Sequence, residues 1–339
     1  MDLQLFTTFP KELEPEWNSL LAESIEHVPF LRHEYLDTWW QTRGGGEWPP
    51  EAQLAIVTAR EGRRLIGIAP MFYVPEWQGK SCLMLLGSHE VSDYLDFIVR
   101  PEKLEPFLET VLPYLAGEAA GLPRWERLDL YNLLDSSPSL AALQTAAQKL
   151  GWKHTEEQLQ HSPYIPLPGD WETYLASIDK KQRHEIRRKM RRAESAPGIR
   201  WYIVKDGDTL DAEVEDFMRL MEQDPDKARF LTPAMREHIR LTARCAFEAG
   251  CLCLAFLEID GKKAAGYFSF DYLNRLWVYN SGINREFMEY SPGWVLLGEL
   301  LKWSNEQGRT AFDFMRGDEE YKYRFGGVDR FVKRVKLER

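Results

Sequence analysis

Apolar positions along the chain alternate between two regimes. The stretches LAIVTAREGRRLIGIAPMFYV, CLMLLG, WERLDLYNL, IRWYIVK, CLCLAFLEID, KAAGYFSFDY, RLWVYNSGI and TAFDFMRG are period-two or continuously apolar and bounded by turn residues, which predicts strands. Between them, apolar residues recur at helical spacing near 11–25, 31–42, 104–119, 139–150, 171–195, 211–222, 232–248 and 292–307, and a closing strand is predicted near 329–337. Strands interleaved with helices predict an α/β protein with helices on the faces of its sheets.

The two halves share one device. LAIVTAREGRRLIGIAPMFY and LAFLEIDGKKAAGYFSFDY each run strand, glycine turn with two basic residues and returning strand, with Gly67 standing against Gly266. This pattern suggests an internal duplication, and 339 residues suit two domains of ordinary size. The boundary is expected in HSPYIPLPGDW, where three prolines disfavour regular structure, giving domains 1–162 and 163–339. With 44% hydrophobic and 13% aromatic residues there is ample surface for packed cores.

A formal net charge of -10 argues against a general nucleic-acid binder, DNA included, because nonspecific affinity depends on neutralising phosphates. The start MDLQLFTTFPKELEPEW has neither a basic region nor an apolar core of a signal, and no apolar run reaches membrane-spanning length, so a cytoplasmic protein without a transmembrane segment is expected. Cys82, Cys245, Cys251 and Cys253 form no CxxC pair and no histidine stands at zinc-site spacing, so no metal and no disulfide are expected.

Candidate chemistry concentrates near the end, in FDFMRGDEEYKYRFGG from Phe312 to Gly327. Phe312 and Phe314 alternate with Asp313 and Met315, and Arg316, Asp318, Tyr321 and Lys322 come next at the carboxyl end of the strand, where mixed sheets usually bind ligands. The alternative is an ion-pair lattice that fastens a helix, with Asp313 paired to Arg316 and Asp318 as a helix cap. A second feature is YSPGWVLL: Ser291 suits an N-cap, Pro292 the first helical position, and Gly293 allows close approach. Free N–H groups at such a helix start suit a phosphate, although the same residues also simply begin helices. A third is KKQRHEIRRKMRRAE, with eight Lys or Arg within 180–192. It reads either as a solvated basic face or as an anion platform centred on Arg183 and Arg187 for a phosphorylated lipid-linked sugar, an anionic glycan, a membrane surface or an aminoacyl-tRNA. Tyr94, with Asp93 and Asp96, is a candidate for substrate contact or a polar strand end.

Together, the antiparallel strands, the SPG helix start, the FDF strand and the Tyr-bearing helix resemble the GCN5-related N-acyltransferase (GNAT) fold. FDFMRGDEEYKYRFGG, with PFLRHEYLDTWW, GIAPMF and LLGSHEVSDYLDF, is similar more specifically to the CelD-like family named for cellulose biosynthesis, itself distantly similar to the FemAB-type peptidoglycan aminoacyltransferases. The resemblance covers most of the chain and implies two tandem GNAT-like mixed-sheet domains, the first a degenerate copy. It implies transfer of an acyl group from acetyl-CoA or another acyl-CoA to an amine or hydroxyl on a small-molecule or glycan-linked acceptor. It also implies pyrophosphate binding by the backbone of Ser291, Pro292, Gly293, Trp294 and Val295. In the same mapping Tyr321 protonates the leaving thiolate or orients its acceptor, Asp313 or Asp318 takes the amine proton directly or through water, and Arg316 and Lys322 stabilise the oxyanion or bind an anionic substrate group. One departure weakens the cofactor loop. Where acetyl-CoA-dependent members carry Arg or Gln, two residues, Gly, one residue, and Gly or Ala, this chain has Tyr290, Gly293 and Val295, so only the central glycine survives. Two alternatives stay open: tRNA-dependent aminoacyl transfer, and a polysaccharide-assembly protein that keeps the fold without the chemistry.

Overall fold

The computed structural model describes residues 1–339, which divide into two compact units: 1–160 with 331–339, and 161–330. In chain order the first unit contains β1 (Asp2–Phe6), α1 (Glu14–Ala22), α2 (His33–Gly46), β2 (Gln53–Leu54), β3 (Ile56–Glu61), β4 (Arg64–Ala69), β5 (Met71–Trp77), β6 (Lys80–Leu85), β7 (Ile98–Val99), α3 (Leu104–Ala116), β8 (Arg127–Leu134), α4 (Ser139–Leu150) and β9 (Lys153–His161). The second contains β10 (Tyr164–Pro166), α5 (Trp171–Ser177), α6 (Lys180–Ala193), β11 (Arg200–Ile203), α7 (Leu210–Met221), α8 (Pro225–Phe230), α9 (Pro233–Glu248), β12 (Leu252–Ile259), β13 (Lys262–Tyr272), β14 (Arg275–Ile283), α10 (Pro292–Glu306), β15 (Ala311–Asp313) and α11 (Glu320–Arg324). The last strand, β16 (Phe331–Glu338), returns to the first unit.

The first unit holds a sheet in the order β1-β3-β4-β7 and another in the order β2-β5-β6-β8-β16-β9. Pro70 lies between β4 and β5, so the chain changes sheets at a residue that cannot donate to a ladder. All eight residues of β8 are buried, in keeping with a strand parallel to β6 on one side and antiparallel to β16 on the other. Asp129, fully buried in β8, accepts from Arg334 Nε and Nη2 at 2.7 Å each and faces Arg127 Nε at 3.0 Å. A buried carboxylate without those cations would be strongly destabilising. This pairing, with buried Val332, Val335 and Leu337, draws residues 331–339 into the first unit, which corrects the expectation that the whole of 163–339 forms the second domain.

The second unit has one sheet, β10-β15-β14-β13-β12-β11, in which β14 and β15 are parallel and the other pairs antiparallel. Asp260-Gly261 and Leu273-Asn274 both adopt positive φ, the geometry that two-residue hairpin turns need to match strand twist. Alternate residues of β13 face opposite helices: Phe268 meets Phe217 of α7, and Tyr267 reaches Gly293 of α10. The helix expected over 171–195 breaks into α5 and α6. Ile178 is extended, and the Asp179 carboxylate caps α6 by accepting from the N–H groups of Lys181 and Gln182. Short β1 and α8 and the nine-residue β9 were not anticipated from the sequence.

The ladder between the two parallel strands ends early. β15 pairs with β14 only at Arg275, Leu276 and Trp277, and a bulge between Phe268 and Ser269 disturbs the β13–β14 register just beyond. The last six residues of β14, 278–283, therefore run on with a strand on one side only.

Candidate active site

After Asp313 the chain leaves the sheet through Met315 and Gly317, with φ of 55° and 112°. A methionine tolerates this left-handed turn because Asp313 Oδ1 accepts its N–H at 2.9 Å. Asp313 is 1% exposed, and its Oδ2 accepts from Arg330 Nη2 at 2.6 Å. Arg330 in turn lies over the Tyr164 ring, 4.8 Å from its centroid. The geometry makes Asp313 an anchor between β15 and the segment before β16. Lys322 is 2% exposed, and its ammonium donates to the carbonyls of Arg316 (2.7 Å) and Gly317 (3.1 Å) and to Glu319 Oε2 (2.8 Å). Held by these acceptors, including a carboxylate, and closed off from solvent, Lys322 fastens the loop rather than facing an oxyanion. Asp318 is exposed and does not cap α11, whose N-cap position is Glu319 without a side-chain cap bond. Arg316 is half-buried in the same loop.

At the start of α10, Ser291 stands at the N-cap position but is left-handed (φ 53°, ψ 54°), and its hydroxyl makes no cap bond. Side-chain capping needs an extended residue there, so that expectation fails. Pro292 occupies the first turn as expected. The Ser291 N–H donates to Met288 O and the Val295 N–H to Ser291 O, each at 3.0 Å, and Pro292 has none. Of the five residues expected to cradle a pyrophosphate, Gly293 and Trp294 alone keep free amides. A Cβ on Gly293 would stand 2.5 Å from Ile283 Cδ1, so glycine lets the helix start close onto the end of β14. The Trp294 ring packs on Phe325 and under Lys189 Nζ, 3.8 Å from its centroid, and its buried Nε1 has no partner. The two free amides at this helix start suit an anionic ligand, and the second of them belongs to the tryptophan that carries the orphan N–H and the overlying Lys189.

Tyr321 lies edge-on to Phe314, and burial, then the nearby Tyr267 and Glu319, push its phenol well above the ordinary tyrosine range. Such a phenol stays protonated and is a weaker acid than a free tyrosine, so it gives its proton only to a strong base such as a desolvated thiolate. Tyr267 donates to Gly293 O at 3.3 Å, so the Tyr321–Tyr267 pair leads from α11 to the start of α10. On the α7 side of the end of β14 lies a cavity of about 380 Å³, bordered by Leu220, Met221, Lys227, Ile283, Arg285 and Met288.

The other expected residues lie apart. Arg183 Nη1 donates to Leu175 O at 3.4 Å, and Arg187 is ion-paired with Glu172. Glu185 pairs with both Arg188 and Lys189, so much of the basic face of α6 is a lattice of ion pairs. The open groove of about 700 Å³ beside α6 is lined by Lys181 and Arg188 rather than by Arg183 and Arg187. Tyr94 is 1% exposed and lies edge-on to Phe30, a core position. Sequence reading missed Arg330 and Lys227. Asp224-Pro225, a cap followed by a first-turn proline, was a legible sign of α8 and hence of Lys227. Nothing in sequence spacing marked Arg330 as the partner of Asp313. No group of three or more His, Cys, Asp or Glu could hold a metal, and no helix is long and apolar enough to cross a membrane.

Residues 180–323 match the Acetyltransferase (GNAT) domain family, which supports catalytic acyltransferase activity for the second unit. No curated protein matches the chain in sequence. Among solved structures the chain is similar to FemX (13% identity, 98% of this chain and 97% of that one, TM-score 0.68). It is similar to the C-terminal domain of a putative lysylphosphatidylglycerol synthetase from Agrobacterium fabrum (11% identity, 97% and 92%, TM-score 0.57). It is also similar to a tandem GNAT protein from the clavulanic acid biosynthesis pathway (14% identity, 98% and 97%, TM-score 0.51). At these identities the likeness concerns the fold: an α/β chain of two mixed-sheet units resembling tandem GNAT domains.

Proposed function

We propose that this chain transfers an acetyl or longer acyl group from an acyl-CoA to an amine or hydroxyl acceptor, with the chemistry in the second unit. The start of α10 carries this reading: two free amides and the orphan Trp294 N–H stand beside the one-sided stretch of β14, inside the region that matches an acetyltransferase domain. Gly293, Trp294 and Lys189 would hold the pyrophosphate, and the thioester supplies an activated acyl carbon. The acceptor nitrogen or oxygen bonds to that carbon as the carbon–sulfur bond breaks, and the proton the acceptor gives up passes through solvent water and restores the one that Tyr321 releases. Tyr321, kept protonated by burial, supplies a proton to the departing thiolate. Asp313, locked to Arg330, and Lys322, locked to loop carbonyls, hold the scaffold of this site.

The first unit supports a degenerate copy. Its parallel strands β6 and β8 also diverge, but the gap is taken by the protein's own chain: Asn132 Nδ2 donates to the carbonyls of His89 (2.9 Å) and Ser92 (2.8 Å), and the Leu95 N–H donates to Asn132 O at 2.9 Å. The finer assignment, a CelD-like enzyme of exopolysaccharide or cell-envelope precursor metabolism, rests on FDFMRGDEEYKYRFGG. The likeness to FemX along nearly the whole chain favours a second reading, FemAB-like aminoacyl transfer from tRNA.

Calorimetry with acetyl-CoA, longer acyl-CoAs and tRNA separates the two. Saturable thioester binding without tRNA binding is expected. Failure of every thioester to bind at millimolar concentration removes the acyl-CoA reading, and tight tRNA binding with a steep salt dependence installs the other.

A further inference from the structure

The end of β14 carries a charge that the fold does not compensate. Lys227 projects from α8 into the 380 Å³ cavity, half-buried, and its ammonium donates to Asn280 Oδ1 (3.0 Å), Ser281 O (2.5 Å) and Ser281 Oγ (3.4 Å). All three acceptors are neutral. Asp224 and Glu319 act on it only through space, and the Asp224 carboxylate is already committed to capping α8 through the N–H groups of Asp226 and Lys227. Burial accordingly pulls the lysine below its ordinary range. An ammonium stripped of water without a counter-ion is destabilising, and such groups cluster where a ligand brings the opposite charge.

The rest of the cavity narrows the ligand class. Arg285 is exposed at the mouth, so among the lining residues two cations face Asp224 alone, and Glu319, outside the lining, is already paired with Lys322, which leaves a single positive charge to be matched. Leu220 and Met221 make an apolar wall, and Met288, 57% exposed, extends it outward. A Cβ on Gly282 would stand 2.6 Å from the Leu220 backbone, so this side of β14 lies against α7, whereas Ile283 turns toward Gly293 of α10. The cavity and the free amides of α10 thus flank the end of one strand from opposite faces.

We propose that this cavity is the acceptor site, and that Lys227, giving up its long 3.4 Å contact with Ser281 Oγ, seats a carboxylate of an acceptor whose apolar body lies on Leu220, Met221 and Met288. The word acceptor rests on the acyltransferase reading, while the carboxylate site stands on the cavity itself. A carboxylate monoanion matches the single unbalanced charge, and a phosphate dianion exceeds it.

Calorimetry on the full chain tests this with hexanoate, its uncharged twin hexanamide, and inorganic phosphate as probes. Hexanoate is expected to bind about tenfold more tightly than hexanamide, the worth of one charge-assisted contact. Lys227→Met should erase that preference and Lys227→Arg should keep part of it. Equal binding of acid and amide, or a preference that survives Lys227→Met, overturns the site, and phosphate binding more tightly than hexanoate overturns the carboxylate class. If Lys227→Met does not fold, the exposed Arg285→Gln decides: the preference should fall roughly twofold, and an unchanged value counts against the site. Acetyl-CoA titrated into the same protein keeps the two readings distinct, because its failure to bind beside an intact hexanoate preference removes the donor and leaves the carboxylate site standing.

Discussion

Asp96 shows how one residue can set a pH dependence. It is fully buried and accepts from Ser137 Oγ and Ser139 Oγ at 2.5 Å each and from the Phe97 N–H at 2.7 Å. Burial outweighs those donors and pushes its carboxyl up to about 6. The folded chain therefore holds this proton more tightly than the unfolded chain, whose carboxyl titrates near 4. Its contribution to stability is greatest below about pH 4, falls by roughly 3 kcal/mol as pH rises to about 6, and is flat above. Glu157, lowered by Lys336 and Arg334 against its own burial, runs the other way, so the test is the difference between wild type and Asp96→Asn in urea unfolding. A difference that does not change between pH 4 and 7 would show that Asp96 is not protonated on folding. Tyr321→Phe is the matching test of chemistry: kcat should drop about a hundredfold while acetyl-CoA affinity is unchanged, and an unchanged kcat would remove Tyr321 as proton donor. Residue roles were the least legible layer of the sequence. Asp313, Lys322 and Ser291 carry side chains apt for catalysis or capping, yet Arg330, the 315–317 carbonyls and a left-handed backbone decide what each does.

At the scale of elements, the two glycines at the end of β14 separate hard contacts from soft ones. A Cβ on Gly282 would stand 2.6 Å from backbone atoms of Leu220 and Met221, which can yield only if α7 moves. A Cβ on Gly293 meets the terminal Cδ1 of Ile283, which a rotamer change can clear. Gly282→Ala should cost about 2–3 kcal/mol by urea unfolding and Gly293→Ala about 1 kcal/mol or less, with Ile283→Val restoring most of the latter. Equal losses at the two positions would mean that the close approach of α7 is not what holds this corner. Long elements were readable because periodicity and end signals agreed: the helices expected at 139–150 and 292–307 are α4 (Ser139–Leu150) and α10 (Pro292–Glu306). The break between α5 and α6 was written in Asp179, but the basic run after it continues the helical pattern and masks it.

For the whole molecule, the decisive feature is that the second unit is inserted between β9 and β16 of the first. A duplicated hairpin revealed two units, and the proline-rich stretch lies where the chain enters the second. The return was hidden because strand pairing across 200 residues leaves no local mark: Arg334 and Asp129 are far apart in the chain and in contact in the sheet. Removing residues 331–339 should unfold the first unit, since β16 separates β8 from β9 and its loss strands the buried Asp129 with one of its two cations gone. Residues 161–330, continuous and with their own sheet, should fold alone. Proton NMR of the two truncated proteins checks both outcomes, and a well-dispersed spectrum for the first unit lacking β16 would count against this view.

The returning strand also orders events in time. During synthesis the first unit emerges early but must wait for an interior strand of its own sheet while residues 161–330 are made, roughly ten to thirty seconds at ordinary elongation rates. Through that interval β8 and β9 have nothing between them, and the polar, charge-rich β9 (KHTEEQLQH) is a poor template for wrong pairing. A ribosome that stops just after residue 330 therefore releases a chain whose later-made unit can be whole while its first-made unit cannot, so the first unit closes only once translation has carried through the inserted one.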